Sequence, residues 1–172
     1  MGTHAESQRG RPVIVGVSAG QSPRIVIEAA RFAQRFDAEL VCAHVNPASF
    51  ATSETGDGAM LSAPIDPDFA DDMQAALNER LSLDLSSTLQ GINVRWRLVP
   101  LAGDVATALS HLADTLDASM VVVGAREHSI GGALQEFFNR SVAVNLVRQQ
   151  QRPVVVIPRT ATRPSTSELG KA

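Results

Sequence analysis

The segment with the most chemistry runs from Val121 to Val142, reading VVVGAREHSIGGALQEFFNRSV. An apolar strand ends in Gly124, a loop containing Gly131 and Gly132 follows, and a helical pattern opens after it. A glycine loop between a strand and a helix N-terminus can cradle an anion, because backbone N–H groups and the helix field point at the same spot. Arg126, His128 and Arg140 could add cationic side chains to such a cradle. Gly131-Gly132 reads equally as a phosphate loop or as a pliant helix entry. Ser141 reads as a phosphate contact or as a small residue that lets its helix approach the sheet. Arg126 and Glu127 could act in catalysis, but solvated loop charges are the commoner case.

Other candidates are isolated. His44 closes an apolar run and has the chemistry of an acid or base, yet no nucleophile or carboxylate accompanies it, so a partly buried structural role is expected. Cys42, the lone cysteine, sits within the same run and reads as an inert core thiol. His111, between Leu109 and Leu112, should border solvent. The four histidines and one cysteine have no metal-ligand spacing. Phe137-Phe138 reads as core, with a partner-facing aromatic pair as the sharper alternative.

These residues must be held by elements that alternate. Pro12–Val17 is short, β-branched and apolar throughout, as a strand covered on both faces should be. Ser22-Pro23 opens a helix with a stripe of Val26, Ala29, Ala30, Ala33 and Phe36. A second strand spans Ala38–Val45. Residues 46–65 show no period and read as a long loop, either a lid or an insertion. Asp66-Pro67 restarts helix, with Phe69, Met73, Leu77, Leu81 and Leu85 four apart. Ile92–Leu98 alternates strictly, as a half-exposed edge strand would. Gly103-Asp104 opens a third helix, Met120–Val123 forms the fourth strand, 132–147 a fourth helix and Pro153–Ile157 the last strand.

Strands alternating with helices predict a parallel α/β sheet with helices on both faces and right-handed crossovers. Its ligand crevice should lie at the carboxyl ends of the strands, where the winding reverses. Residues 1–11 and 159–172 are polar and read as mobile tails around one domain, 12–158. The chain has 172 residues, 44% hydrophobic and 19% charged, ordinary for a soluble domain. A net charge of −3, one tryptophan and no tyrosine argue against nucleic acid as a partner. No apolar run is long enough to span a membrane, and the polar start lacks a secretory pattern, so a cytoplasmic protein is expected.

On the Val121–Val142 stretch, the Gly103-Asp104 helix start, the ASMVVVG strand at 118–124 and the closing RPVVVIP at 152–158, the chain resembles the universal stress protein family. The resemblance covers 12–158 and implies an open five-stranded, Rossmann-like sheet in the order 3-2-1-4-5, of the adenine nucleotide α-hydrolase-like kind. It also implies a homodimer paired through the last strand, here Val154, Val155, Val156 and Ile157. ATP-binding members carry Gly-x2-Gly-x9-Gly-(Ser/Thr) after strand four and an aspartate after strand one. Carried over, Gly124 is the first glycine, the second falls on Glu127, and the third on Arg140 when Ser141-Val142 takes the Ser-Val position. Gly124 to Arg140 spans sixteen positions against the motif's thirteen, which lengthens the loop by three. The aspartate position falls on Ser18 and the adenine-contacting position of strand two on Leu40. Ala125 and Arg126 complete the resemblance-implied contact set.

A carboxylate at 127 repels phosphate, and a serine at 18 offers only uncharged hydrogen bonds. The leading expectation is therefore a non-enzymatic, dimeric stress-response regulator or interaction module with a degenerate nucleotide site, no bound cofactor and a protein partner the sequence does not identify. The competing expectation is a member that binds ATP or AMP through a modified loop, with slow hydrolysis.

Overall fold

The computed structural model describes residues 10–47, 49–54, 60–64, 70–125 and 142–158. Its elements run β1 (Gly10–Val17), α1 (Pro23–Arg35), β2 (Ala38–Asn46), β3 (Ser49–Glu54), β4 (Met60–Pro64), α2 (Ala70–Leu89), β5 (Trp96–Ala102), α3 (Val105–Thr115), β6 (Met120–Gly124), α4 (Val142–Gln149) and β7 (Val154–Ile157). Five strands form one parallel sheet in the order β5-β2-β1-β6-β7. Leaving the β3-β4 hairpin aside, that is the expected 3-2-1-4-5.

Strand alternation sends side chains to opposite faces, and both faces are covered. Val13, Val15, Leu40, Cys42 and Val122 pack under α1 and α2. Ile14, Val41, Ala43, Val121 and Val123 pack under α3 and α4 with Leu109, Leu112 and Leu146. Val13, Ile14, Val15, Leu40, Val41 and Cys42 are all fully buried, each such aliphatic side chain contributing about 1.5–3 kcal/mol. Burial pushes the Cys42 thiol up to about 12, so it stays protonated and inert at neutral pH.

Several boundaries differ from expectation for identifiable reasons. β1 begins at Gly10, so Gly10 and Arg11 belong to the sheet and not to a tail. Register shifts between Gly10 and Val13, where Pro12 offers the ladder no N–H. The residues 1–9 and 159–172 of the expected tails lie outside the described residues. α1 ends at Arg35; Phe36 is the C-cap, about half exposed, and Asp37 at φ 50° turns the chain out of the helix. Ser22 stands at the N-cap without a side-chain bond, so Pro23 carries the start. On α2 the buried stripe is Leu81, Leu85 and Leu89, while Met73 is exposed.

The edge strand β5 begins four residues after the start of the alternating run that pointed to it. Ile92 and Val94 still pack against the core beside Trp96 and Leu98, but 92–94 form a turn, with Val94 N–H donating to the Ile92 carbonyl at 2.9 Å. The strand continues through Pro100 to Ala102, which an edge position tolerates because its outer N–H side needs no partner. The 46–65 segment is not merely a loop. β3 and β4 pair antiparallel from Ser49↔Pro64 to Glu54↔Met60, and the hairpin lies against β5 without joining its ladder. Serine, alanine and threonine dominate β3, so no apolar period announces it.

The amino end of the sheet is tied by one arginine. Arg152, before β7, donates from Nε to the Ala118 carbonyl at 2.8 Å, and from its two Nη atoms to Asp114 and Asp117. Arg11 also meets Asp117, at 2.6 Å. Three elements converge there: the end of α3, the turn into β6 and the entry to β7. Arg152→Ala should lower unfolding stability by about 1.5–3 kcal/mol, the range for hydrogen bonds to a charged group, and Arg152→Lys should recover little because an ammonium cannot reproduce the fork. Urea unfolding monitored by circular dichroism checks both.

Candidate functional site

The winding reverses between β1 and β6. β1 pairs with β2 as far as Val17↔His44, but with β6 only from Val13↔Met120 to Val15↔Val122. The ladder between the two central strands ends at Val15, and their carboxyl ends are where this topology places its ligand crevice. Ser18 leaves β1 at that mouth; Gly124 and Ala125 leave β6 there.

The loop after β1 is closed by its own residues. Gln21 N–H donates to the Ser18 carbonyl at 3.2 Å, and Gly20 takes φ +70° to make the turn. The Gln21 side chain then reaches back: its Oε1 accepts from the Ser18 backbone N–H at 3.1 Å and the Ser18 hydroxyl at 3.3 Å, and its Nε2 donates to the Gly16 carbonyl at 3.2 Å. Gln21 escaped the sequence reading. The available signal was an amide three residues after a serine across a glycine turn, a spacing that lets the side chain bond back to the serine.

The β6 exit is equally committed. Ala125 N–H donates to the Ile157 carbonyl at 2.9 Å, so this member of the expected contact set does not present a free donor. Gly124 has a packing reason to be glycine: a Cβ there would stand 2.4 Å from Ile25 Cδ1, and Ile25 is almost fully buried. The α1 side chain thus lies directly over the strand end. Val142 opens α4 half-buried and packs on the core cluster beneath α3 and α4. Leu40 does not reach the mouth. It is fully buried and pairs with Val13 and Trp96, about 13 Å back from the His44 level at ~3.3 Å per residue. Arg126, Glu127, Arg140 and Ser141, with His128, Gly131, Gly132, Phe137 and Phe138, lie outside the described residues.

At the carboxyl end of β2 stands His44, buried, with Nδ1 donating to the Val17 carbonyl at 3.1 Å. That bond fixes the Nδ1–H tautomer and gives His44 the structural role expected of it. Asn46 follows; its amide donates to Gln74 Oε1, and Gln74 donates on to Asn78 Oδ1 at 3.2 Å. Gly103 N–H donates to the Asn46 carbonyl at 3.1 Å. Asp104 then caps α3, accepting from Thr107 N–H at 2.9 Å and its hydroxyl at 2.8 Å. Those Thr107 bonds hold its carboxyl below the usual range. The described rim is thus rich in amides and hydroxyls, with Asp104 its one carboxylate beside the Asn46 strand end.

Among the described residues no three of His, Cys, Asp and Glu come together to hold a metal, and no helix is long and apolar enough to cross a membrane. A second opening, a shallow groove of about 500 Å³, lies at the opposite end of the sheet between Arg11, Asp117 and Arg152. Its charged groups pair with one another, so it belongs to the amino-end clamp.

The fold matches known proteins over most of its length. The model of the universal stress protein family matches residues 10–158. UspA from Lactobacillus plantarum is similar at a TM-score of 0.61 and 16% identity, covering 87% of this chain and 98% of that one. A universal stress protein solved in complex with cAMP is similar at 0.58 and 19%, covering 88% and 99%. One from Archaeoglobus fulgidus in complex with dAMP is similar at 0.56 and 16%, covering 84% and 95%. No curated protein matches the chain significantly.

Whether Gly124 serves packing or a ligand is open to measurement. Gly124→Ala should destabilise by about 1–3 kcal/mol through overpacking against Ile25. Adding Ile25→Val, which removes the clashing Cδ1, should recover most of that loss in a chemical denaturation cycle. A single Gly124→Ala substitution without cost would show that the contact does not constrain the position.

Proposed function

Because the chain belongs to the universal stress protein family, we propose that it is a dimeric, non-enzymatic stress-response regulator or interaction module of the cytoplasm, whose nucleotide site has lost the family's binding chemistry. One observation carries this reading. Three donors of the described half of the mouth are engaged within the protein: Ser18 N–H and hydroxyl by Gln21, and Ala125 N–H by Ile157. A ligand must replace these bonds, and replacing one hydrogen bond by another yields little net free energy. The identities of Ser18, Glu127 and Arg140 favour the same reading, since an uncharged hydroxyl, a carboxylate and a guanidinium stand where the family's binding members carry an aspartate and two glycines.

A second reading is nucleotide binding by a modified loop. It draws on the solved relatives whose names state a bound cAMP or dAMP, and on Arg126, His128 and Arg140 as cationic groups in the altered stretch. Mass spectrometry of the denatured, freshly purified protein decides first. No stoichiometric adenine nucleotide should be released, and calorimetric titration with ATP–Mg²⁺ or AMP should give no micromolar binding. Micromolar affinity, or phosphate release from ATP above a no-protein control, would overturn the degenerate-site reading.

The dimer we propose forms through β7. Among the described residues this strand is the edge beyond β6, and it is apolar along its length, which invites pairing with an identical strand about a two-fold axis. The burial pattern selects the probe. Val155 packs against the core and Ile157 is buried, whereas Val156 is about half exposed. Val156→Asp should therefore leave the subunit folded and shift sedimentation from a two-subunit species to a one-subunit species. A variant that sediments as the parent does would end the proposal.

A further inference from the structure

Gln21 belongs to neither core cluster and precedes the N-cap of α1. It is half-buried and extends from the start of α1 back across the loop. One carboxamide satisfies three groups of β1 and its loop, with Oε1 taking the Ser18 N–H and hydroxyl and Nε2 giving to the Gly16 carbonyl. A backbone N–H can only donate and a carbonyl can only accept, so these bonds fix the amide orientation. They also fall where β1 has parted from β6: the ladder to β6 stops at Val15, and Gly16 is the next residue. Parting two strands exposes backbone groups that need partners, and in this chain Gln21 supplies one from within. The same residue takes the hydroxyl of Ser18, the first polar side chain at the switch point.

We propose that Gln21 is an internal latch, holding the β1 loop closed in place of a ligand, so that a polar, hydroxyl-bearing ligand of the nucleoside class enters the crevice only by displacing the Gln21 carboxamide. The proposal rests on the reading of this mouth as the family's altered nucleotide site and deepens it: the site is weak because it is occupied from inside as well as because its residues have changed. The latch is breakable. Its bonds are neutral and lie at the exposed Ser18, where water competes, and neutral bonds of this kind are individually weak in net terms. Closure therefore sets a threshold on ligand entry.

The test compares the full chain with Gln21→Ala and Gln21→Asn, the second retaining an amide too short to span Ser18 and Gly16 together. Amide hydrogen exchange by NMR reads the latch, and calorimetric titration with adenosine and with AMP reads its consequence. In Gln21→Ala the Ser18 amide should lose about tenfold or more of its protection, and adenosine affinity should rise by about tenfold or more over the parent, with Gln21→Asn changing in the same direction. Using adenosine beside AMP separates loop opening from any effect of the altered phosphate region, since adenosine carries no phosphate. Unchanged Ser18 protection overturns the latch, and so does an adenosine affinity equal in parent and variants, including no binding by any of them. Micromolar AMP binding by the parent would instead count against the degenerate-site reading, leaving the latch to be judged on the ratio between parent and variant. If Gln21→Ala does not fold, Gln21→Asn carries the comparison alone.

Discussion

The structure depends on β1 having neighbours on both sides that it does not keep for equal lengths. Its middle residues, Val13, Ile14 and Val15, are wholly buried and point alternately into the two cores. Because β1 is central, neither face can tolerate a polar side chain without a partner, and the register with β2 and β6 is strongly specified. Yet β2 follows β1 to Val17 while β6 leaves after Val15. Two residues of unequal pairing create the opening, and they set the polar groups that every nearby loop must satisfy.

The chain meets that demand locally. The Gly16 carbonyl is taken by Gln21, the Val17 carbonyl by His44, the Ala125 N–H by the Ile157 carbonyl and the Gly103 N–H by the Asn46 carbonyl. Buried or half-buried backbone groups are almost always paired in folded proteins, so these bonds would be expected of any stable member of the fold. In this chain side chains at the mouth take part as well. Gln21 and His44 close it with hydrogen bonds that a ligand would otherwise compete to make. Stability of the apo form and affinity for a ligand thereby draw on the same groups.

Much of the architecture was legible because two-sided burial writes itself into sequence as short, largely apolar runs, and Pro12–Val17, Ala38–Val45 and Met120–Val123 are such runs, the second broken only by Glu39 and His44. Edges were read less well. β5 was placed four residues early because Ile92 and Val94 pack against the core from a turn, imitating strand alternation. The β3-β4 hairpin went unseen because its serines and alanines give no apolar period. For the site, Ser18 and Gly124 were found at the mouth, since topology places strand ends there whatever their residues. Leu40 was assigned by position in strand two and lies deep in the core. Gln21 was missed because a side chain bonding back to its own loop produces no periodicity; only turn chemistry hints at it.

A retained glycine is commonly read as a retained ligand site, and this fold shows why that step is unsafe. Gly124 lies under Ile25, whose Cδ1 a Cβ there would meet at 2.4 Å, so packing gives a reason for glycine whether or not phosphate binds beyond it. Val142, at the start of α4, likewise packs against the core. Positions with such a packing reason carry no information about ligands. Ser18 has none of that kind: its side chain is exposed and bonded only to Gln21 among the described residues. Change at Ser18 is therefore free of the core, and the serine there speaks to function more directly than the glycine that survives. Packing accounts for Gly124 and Val142 and leaves Ser18 unaccounted for, so a test of ligand binding at this mouth reads most directly at Ser18.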